Sequence, residues 1–190
     1  MKQLAIFASG TGSNAARIIH HFRHHPQIRI GLVVCNKPGA GVLDIAEKEE
    51  IPVMLIEKER WFRGDGYLSV LRSHDIDWLI LAGFLWKMPA VLVKAYPGRI
   101  INIHPALLPK YGGKGMYGRF VHEAVLAAGD TETGITIHYV DELYDHGQII
   151  FQAPVEVSAG DTAETLAQKV HRLEHEHFPR IIEKVIEAAP

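Results

Sequence analysis

The sequence predicts an α/β protein with a doubly wound, mostly parallel sheet, an antiparallel hairpin and a long C-terminal helix. Apolar stretches of strand length alternate with helical stretches through the N-terminal half, which is typical of βαβ units. Asp77 to Ala82 is apolar at nearly every position, as strands buried on both faces of a parallel sheet are. Thr133 to Val140 instead alternates polar and apolar residues, and an acidic turn separates it from Gln148 to Val157. That pattern predicts an antiparallel pair.

The other elements follow from local signals in chain order. The other strands are predicted at Leu4 to Ala8, Ile28 to Cys35, Pro52 to Ile56 and Ile100 to His104. Helices are predicted from Ala15 onward, over Val42 to Glu50, over Trp61 to Ser73 with an interruption at Gly64-Asp65-Gly66, over Pro89 to Tyr96, and over Arg119 to Ala128. Asp161 and Glu164 have the spacing of a capping box. They open the terminal helix, which carries several His and Glu residues ahead of Pro179.

Length and composition bound the class of protein. A chain of 190 residues predicts one domain, here with lobes at 1–100 and 101–190. The formal net charge of -2 gives no basic field for nucleic acid or a membrane surface. The single cysteine, Cys35, excludes an internal disulfide, and no apolar run is long enough for a membrane span. Since the N-terminus also lacks a signal-peptide cleavage site, a cytoplasmic protein is expected.

A glycine-rich turn follows the first strand. Ser9-Gly10-Thr11-Gly12-Ser13-Asn14 joins that strand to the first helix. Glycines let the backbone approach an anion, and a helix N-terminus offers free N–H groups, so the turn suits a phosphate. It lacks the third glycine of the dinucleotide fingerprint and the Lys-Ser/Thr pair of a Walker loop. Ser13 or Asn14 is expected either to cap that helix or to add a donor to the phosphate. The alternative is a tight strand-to-helix turn without a ligand.

Two polar residues end the strand that begins at Ile100. Asn102 and His104 lie two residues apart, so their side chains point to the same face, and Pro105 ends the strand. Open α/β sheets bind ligands at the carboxyl ends of their strands. An Asn amide beside a His that can carry charge suits a developing oxyanion. The alternative is a His that only forms a hydrogen bond with a turn.

Three further stretches have an open role. Gly83 to Met88, after the fourth predicted strand, is apolar and aromatic, and suits either a planar ligand or a packed loop. Tyr111 to Gly118 contains four glycines and predicts a mobile loop. His20, His21, His24 and His25 crowd the end of the first helix, where a solvated helix end is favoured over a metal site.

Ordered motifs extend over nearly the whole chain, from Ile6 to Pro179, and resemble the folate-dependent formyltransferases. The motifs are Ser9-Gly10-Thr11-Gly12-Ser13-Asn14, Leu81-Ala82-Gly83-Phe84, Ile101-Asn102-Ile103-His104-Pro105, Leu108-Pro109-Lys110-Tyr111, and Glu174-His175 before Pro179. Within that superfamily the chain resembles the branch that acts on 5'-phosphoribosylglycinamide in purine biosynthesis. The resemblance implies a Rossmann-like formyltransferase fold and direct transfer of a formyl group from 10-formyltetrahydrofolate to the glycinamide amine, with no metal. Its partners are then small molecules, and the chain is a monomer or weak homodimer.

The resemblance also assigns roles to residues. The implied catalytic residues are Asn102, His104 and Asp145; Asp145 is placed beside His104 by the resemblance and not by the sequence pattern. Asp145 is expected to take a proton from the attacking amine, with His138 or bulk water as the alternative acceptor, and to raise the pKa of His104. The nucleotide phosphate is assigned to Gly12, Ser13 and Asn14, and the rest of that substrate to Pro105 and Glu174. The folate contacts are assigned to Phe84, Leu85, Trp86, Lys87, Met88, Val140, Asp141 and Tyr144. The lobe at 1–100 is then the phosphate-binding lobe, and the lobe at 101–190 the catalytic and folate-binding lobe.

The sequence departs from the family pattern at three places. They are the loop Tyr111 to Gly118, Leu85-Trp86-Lys87 after Phe84, and His146-Gly147 after Asp145. Two related activities remain as alternatives, formylation of methionyl-tRNA and hydrolysis of formyltetrahydrofolate. The first is associated with an added C-terminal RNA-binding domain and the second with an N-terminal regulatory domain, and neither is expected here. A non-catalytic nucleotide-binding module, using only the turn at Ser9 to Asn14, is the third alternative.

Overall fold

The computed structural model describes residues 1–189, which divide into two compact units, Met1–Asn102 and the residues from Ile103 onward. The elements of the first unit are β1 (Lys2–Ala8), α1 (Ser13–Phe22), β2 (Ile28–Cys35), α2 (Gly41–Lys48), β3 (Val53–Leu55), α3 (Lys58–Arg63), α4 (Leu68–Ser73), β4 (Trp78–Leu81) and α5 (Ala90–Ala95). Strand β5 (Ile100–His104) begins in this unit. The elements of the second unit are α6 (Arg119–Ala128), β6 (Glu132–Tyr139), β7 (Ile149–Glu156) and α7 (Ala163–Ala188).

The predicted fold class is confirmed. The sheet has seven strands in the order β3-β2-β1-β4-β5-β6-β7. Pairs β1–β2, β1–β4, β2–β3 and β4–β5 are parallel, whereas β6 and β7 are antiparallel. Strand order reverses at β1, which has β2 on one side and β4 on the other, and ligands bind at such a switch point in open α/β sheets.

The apolar runs become the interior of each unit, as their patterns require. In the first unit the central strand residues Leu4 to Phe7 and the four residues of β4 are buried, because helices cover parallel sheets on both faces. In the second unit, α6 and α7 pack against each other and α7 packs on β6 and β7. Leu166, Val170, Phe178 and Ile182 recur at helical spacing on the buried side of α7.

One detail of α7, the position of its capping box, differs from the sequence-based prediction. The helix is capped by Thr162, whose hydroxyl accepts from the Thr165 N–H, while the Thr165 hydroxyl accepts from the Thr162 N–H. The capping box is therefore shifted by one residue from the predicted Asp161 and Glu164 pair. The helix also continues through Pro179 to Ala188, since packing of its apolar face outweighs the single backbone hydrogen bond that a proline removes. Within residues 1–189, none of the helices has both the length and the apolar character needed to cross a membrane.

Candidate active site

Two loops of the first unit, the turn after β1 and the loop after β4, start at the carboxyl ends of neighbouring strands. Strand register pairs Phe7 with Leu81, and Leu81 with Asn102. The turn after β1 and the loop after β4 therefore start beside Asn102. Ser9 joins the two loops, since its N–H donates to the Gly83 carbonyl at 3.1 Å and its hydroxyl accepts from the Leu85 N–H at 3.0 Å. The role of Ser9 was not predicted, because a hydroxyl in a turn has many possible partners.

The glycine-rich turn has the geometry of an anion site on α1. Gly12 precedes the helix with φ of 80°, a left-handed conformation that favours glycine. A Cβ at Gly12 would lie 2.8 Å from Val42, so the turn also needs glycine for close packing. The N-cap residue of α1 is Gly12, which has no side chain to cap the helix. The first N–H groups of the helix lack intrahelical carbonyl partners and suit an anion.

The aromatic loop after β4 is partly a packed loop and partly exposed. Phe84 and Met88 are buried, and Phe84 makes edge-to-face contacts with Phe7 and Trp61. The Trp61 indole N–H donates to the Lys87 carbonyl at 2.9 Å, which fixes the loop backbone. Leu85 and Lys87 are exposed and Trp86 is half-buried. Side chains at residues 85–87 are thus accessible to a planar ligand, while the buried side chains of Phe84 and Met88 pack under the loop and hold its backbone in place.

In the second unit, the structure brings His104 and Asp145 together and adds His138. Asp145 Oδ1 lies 3.6 Å from His104 Nδ1 and 3.7 Å from His138 Nε2. Asp145 Oδ2 accepts from the Gly113 N–H at 2.9 Å. The side chains of His104, His138 and Asp145 are 4%, 1% and 11% exposed, so the three side chains are nearly excluded from solvent. His138 lies on β6, where the residues from Thr133 to His138 are all buried.

Backbone carbonyls fix which nitrogen of each imidazole carries a hydrogen. His104 Nε2–H donates to the Tyr111 carbonyl at 2.7 Å, and His138 Nδ1–H donates to the Tyr139 carbonyl at 2.8 Å. A neutral imidazole has only one ring hydrogen. The nitrogens that face Asp145, Nδ1 of His104 and Nε2 of His138, are therefore the positions where an additional proton binds. The distance from His104 Nδ1 to Asp145 exceeds a hydrogen bond, so an N–H at Nδ1 remains available to another acceptor.

Asp145 acts on the pKa of His104 in the expected direction, but burial of the ring outweighs it and the net shift is downward. Burial lowers the pKa of His104 below its usual value, and nearby His138 adds to the lowering. Asp145 and the Tyr111 carbonyl act in the opposite direction, as expected of a carboxylate and a carbonyl, but they do not outweigh burial. Burial would also raise the pKa of Asp145, yet the two imidazoles and the Gly113 N–H hold it below its usual value. Asp145 is thus ionised near neutral pH, beside a His104 ring that is mainly neutral.

The segment after His104 is held by the side chains of the buried Thr136 and the exposed Gln152. The Thr136 hydroxyl donates to the Ala106 carbonyl at 2.6 Å and accepts from the Leu108 N–H at 2.9 Å. The Gln152 amide donates to the Leu108 carbonyl at 3.0 Å and to the Thr136 hydroxyl at 2.9 Å. These bonds connect β6 and β7 to residues 105–109 and fix Pro105, which is half-buried directly after His104.

The remaining predicted residues of the second unit lie in two places. Val140, Asp141 and Tyr144 belong to the turn that carries Asp145, and Tyr144 is exposed while the other two are half-buried. Asp141 is already engaged within that turn, because it accepts from the Leu143 N–H and lies 2.7 Å from His146 Nδ1. Glu174 is 5% exposed on α7, with His171 Nε2 4.0 Å from its carboxylate. A carboxylate so buried is unusual for a helix charge that serves solubility alone.

The histidine-rich end of α1 has a structural role at one position. His25 Nδ1 accepts the N–H groups of Gln27 and Ile28, at 3.2 and 3.0 Å, and thereby orders the entry to β2. His20 and His24 are exposed.

Comparison with known proteins relates this chain to one family. The model of the formyl transferase family matches residues 2–182. The chain is 37% identical to a phosphoribosylglycinamide formyltransferase of Bacillus subtilis (strain 168), over 98% of this chain and 95% of that protein. It is 42% identical to the chloroplastic phosphoribosylglycinamide formyltransferase of Arabidopsis thaliana over 98% of this chain. The chain spans only 66% of that protein's length and 61% of a second chloroplastic relative, from Vigna unguiculata.

A solved structure agrees with the same relationship. The crystal structure of phosphoribosylglycinamide formyltransferase from Bacillus halodurans is similar with a TM-score of 0.89 and 36% identity. The likeness covers 100% of this chain and 97% of that one. The aligned region therefore spans both units.

Proposed function

Because this chain belongs to the formyl transferase family and is a transferase, we propose that it formylates the glycinamide amine of 5'-phosphoribosylglycinamide with 10-formyltetrahydrofolate. The products are formylglycinamide ribonucleotide and tetrahydrofolate, in purine biosynthesis. The observation that carries the proposal is the buried pair of His104, at the end of β5, and Asp145. The chain that holds this pair is similar over its whole length to a phosphoribosylglycinamide formyltransferase.

The reaction needs two changes of charge at neighbouring atoms. The amine nitrogen attacks the formyl carbon, a C–N bond forms, and the carbonyl π electrons move onto the formyl oxygen. The attacking nitrogen then loses a proton, the tetrahedral intermediate collapses, and the bond to the folate nitrogen breaks as that nitrogen takes up a proton. The protein must therefore stabilise an oxyanion and move one proton.

His104 and Asp145 suit these two tasks. Nε2–H of His104 is committed to the Tyr111 carbonyl, so Nδ1 is the reactive edge of the ring. Asp145 is ionised and receives the proton of the amine, directly or through water. Asp145 passes this proton on to Nδ1, and His104 becomes a cation that donates to the oxyanion, together with the Asn102 amide, which is two residues away on β5. The leaving folate nitrogen then takes up this proton from Nδ1 of His104.

Substrate contacts are proposed on the same basis. The N–H groups at Gly12, Ser13 and Asn14 bind the nucleotide phosphate, supported by the left-handed φ of Gly12 at the start of α1. Glu174 holds the glycinamide amine, supported by its burial, and Pro105 borders this substrate. The folate contacts are proposed at residues 84–88, with Leu85, Trp86 and Lys87 as the side chains within reach, and at Val140, Asp141 and Tyr144.

A transfer assay tests the proposal. The purified protein is incubated with 10-formyltetrahydrofolate and 5'-phosphoribosylglycinamide, and the formylated ribonucleotide is identified by mass spectrometry. We expect tetrahydrofolate to form only when the amine is present. Equal release of tetrahydrofolate without the amine would indicate a hydrolase, and transfer only to methionyl-tRNA would indicate the other alternative. His104→Asn is the matched control and should lose about 100-fold or more of the turnover.

A further inference from the structure

Tyr111 joins the catalytic histidine to a carboxylate outside the site. Its backbone carbonyl accepts the Nε2–H of His104 at 2.7 Å, and its side-chain hydroxyl donates to Asp130 Oδ2 at 2.9 Å. Tyr111 thus contacts the catalytic imidazole through its backbone and the segment that follows α6 through its side chain.

The backbone at Tyr111 is in a conformation that a tyrosine adopts only when it is held there. Its φ is 56°, in the left-handed region that is costly for a residue with a large side chain. Gly112 and Gly113 follow, and glycines impose little conformational preference of their own. An external contact is therefore needed to select this turn, and the bond from the Tyr111 hydroxyl to Asp130 supplies one.

The same turn also holds Asp145. The Gly113 N–H donates to Asp145 Oδ2 at 2.9 Å. A Cβ at Gly112 would lie 3.3 Å from the Asp145 Cβ, so the turn passes directly against this residue. Residues 111–113 therefore orient both members of the His104–Asp145 pair, one through a carbonyl and the other through an N–H.

Asp130 is a firm attachment point. It follows Gly129, the C-cap of α6, and its side chain is only 23% exposed. Lys110 and the Tyr111 hydroxyl lower the pKa of Asp130, so the acceptor is ionised near neutral pH. Lys110 lies 3.0 Å from the same oxygen, but its side chain is 67% exposed, and an exposed ion pair holds little in place. The Tyr111 bond is the one that fixes geometry.

We infer that Tyr111 and Asp130 are positioning residues for His104: Asp130 holds the Tyr111 side chain so that the Tyr111 carbonyl keeps the imidazole with Nδ1 toward Asp145. The expected effect on turnover rests on the proposed function, whereas the expected effect on the tautomer of His104 is independent of it. The contact borders a cavity of about 270 Å³ lined by Leu107, Lys110, Tyr111, Asp130 and Thr133, among others. Variants that shorten these side chains therefore enlarge an existing space and leave the packed core intact.

The test uses Tyr111→Phe, Asp130→Ala and the double variant in the full chain. Tyr117→Phe is the matched control, since Tyr117 is an exposed tyrosine on the same loop whose ring stacks edge-to-face on Phe120. Turnover is measured at saturating substrates, and the ¹⁵N spectrum of the imidazoles reports which nitrogen of His104 carries hydrogen. We expect each single variant to lower kcat by about 10- to 100-fold with KM nearly unchanged. The double variant should lose no more than either single one, because both remove the same contact.

The ring signal separates the possible outcomes. Wild type and Tyr117→Phe should show one tautomer of His104 with hydrogen on Nε2, whereas both single variants should show mixed tautomers. If the variants keep the single tautomer, or if their losses in kcat add in the double variant, the inference is overturned. If wild type shows no formyl transfer while the variants still change the tautomer, the positioning role holds and the proposed function fails.

Discussion

Replacing Asp145 with Asn removes the carboxylate charge between His104 and His138 while keeping the shape of the side chain. The amide oxygen can still accept from the Gly113 N–H, which lies 2.9 Å from Oδ2 in the native protein. The variant therefore isolates the charge from the structural role of the side chain.

The distances set the size of the effect. Asp145 Oδ1 is 3.6 Å from His104 Nδ1, and the two side chains are 11% and 4% exposed. Two unit charges about 4 Å apart attract by about 4 kcal/mol at an effective dielectric constant of about 20, and by about 1 kcal/mol in water. One pKa unit corresponds to about 1.4 kcal/mol, so the pKa of His104 should fall by about 1 to 3 units. Loss of the proton acceptor should also lower kcat by about 100- to 10,000-fold.

The pKa of His104 is followed by NMR titration of labelled imidazole in both proteins, and kcat by the transfer assay. Glu142→Gln is the control, because it removes an exposed charge from the same turn without touching the imidazoles. Its His104 titration should match wild type. An unchanged His104 titration in Asp145→Asn would refute the electrostatic coupling. Full turnover in this variant would show that His138 or water, and not Asp145, accepts the proton of the amine.

Gly12→Ala should destabilise the fold by about 1 to 3 kcal/mol in urea unfolding, because its Cβ would meet Val42 at 2.8 Å. Gly39→Ala, also at positive φ but in open space, should cost less; equal costs would remove the packing argument. Burial, with His171 and His104, lowers the pKa of His122 to about 4, so the unfolded chain binds more protons than the folded one between about pH 6.5 and pH 4. About 3 kcal/mol of stability should be lost as pH falls through that window, and a His122→Leu variant with the same pH dependence would contradict this assignment. Glu174→Gln should weaken binding of the ribonucleotide in calorimetry by more than the roughly 0.5 kcal/mol of an exposed helix charge, whereas a wild-type dissociation constant would leave Glu174 without a substrate role.

The parts of the site that the sequence predicted are those set by local periodicity. Asn102 and His104 share a face because side chains alternate along any strand, and Pro105 ends that strand wherever it lies in the sheet. The turn before Ser13 was predictable for the same reason, since a strand, glycines and a helix follow one another in the sequence. These features do not depend on contacts between distant parts of the chain.

The parts that sequence analysis missed depend on the folded backbone. The Tyr111 carbonyl and the Gly113 N–H belong to no motif, because every residue has the same backbone groups, and only the turn geometry directs these two toward the site. The neighbourhood of Asp145 was available only from the family resemblance. The sign of the His104 pKa shift depends on how completely the ring is buried, and the charged neighbours, which the sequence does suggest, are outweighed by that burial.

A ring that is neutral at rest suits the proposed reaction better than one that is permanently cationic. Only interactions that strengthen in the transition state accelerate a reaction. A neutral His104 gains its charge as the oxyanion forms, because the proton that the amine loses to Asp145 is passed on to Nδ1, which faces that carboxylate. If a cationic ring were required beforehand, kcat at saturating substrates would fall about tenfold for each pH unit above about 6.5, since burial places the pKa of His104 below its usual value. We expect kcat instead to hold or rise between about pH 7 and pH 9, where the substrate amine is also increasingly neutral. A tenfold fall per unit across that range, absent in a variant without the imidazole, would show that the charge must be present before the amine attacks.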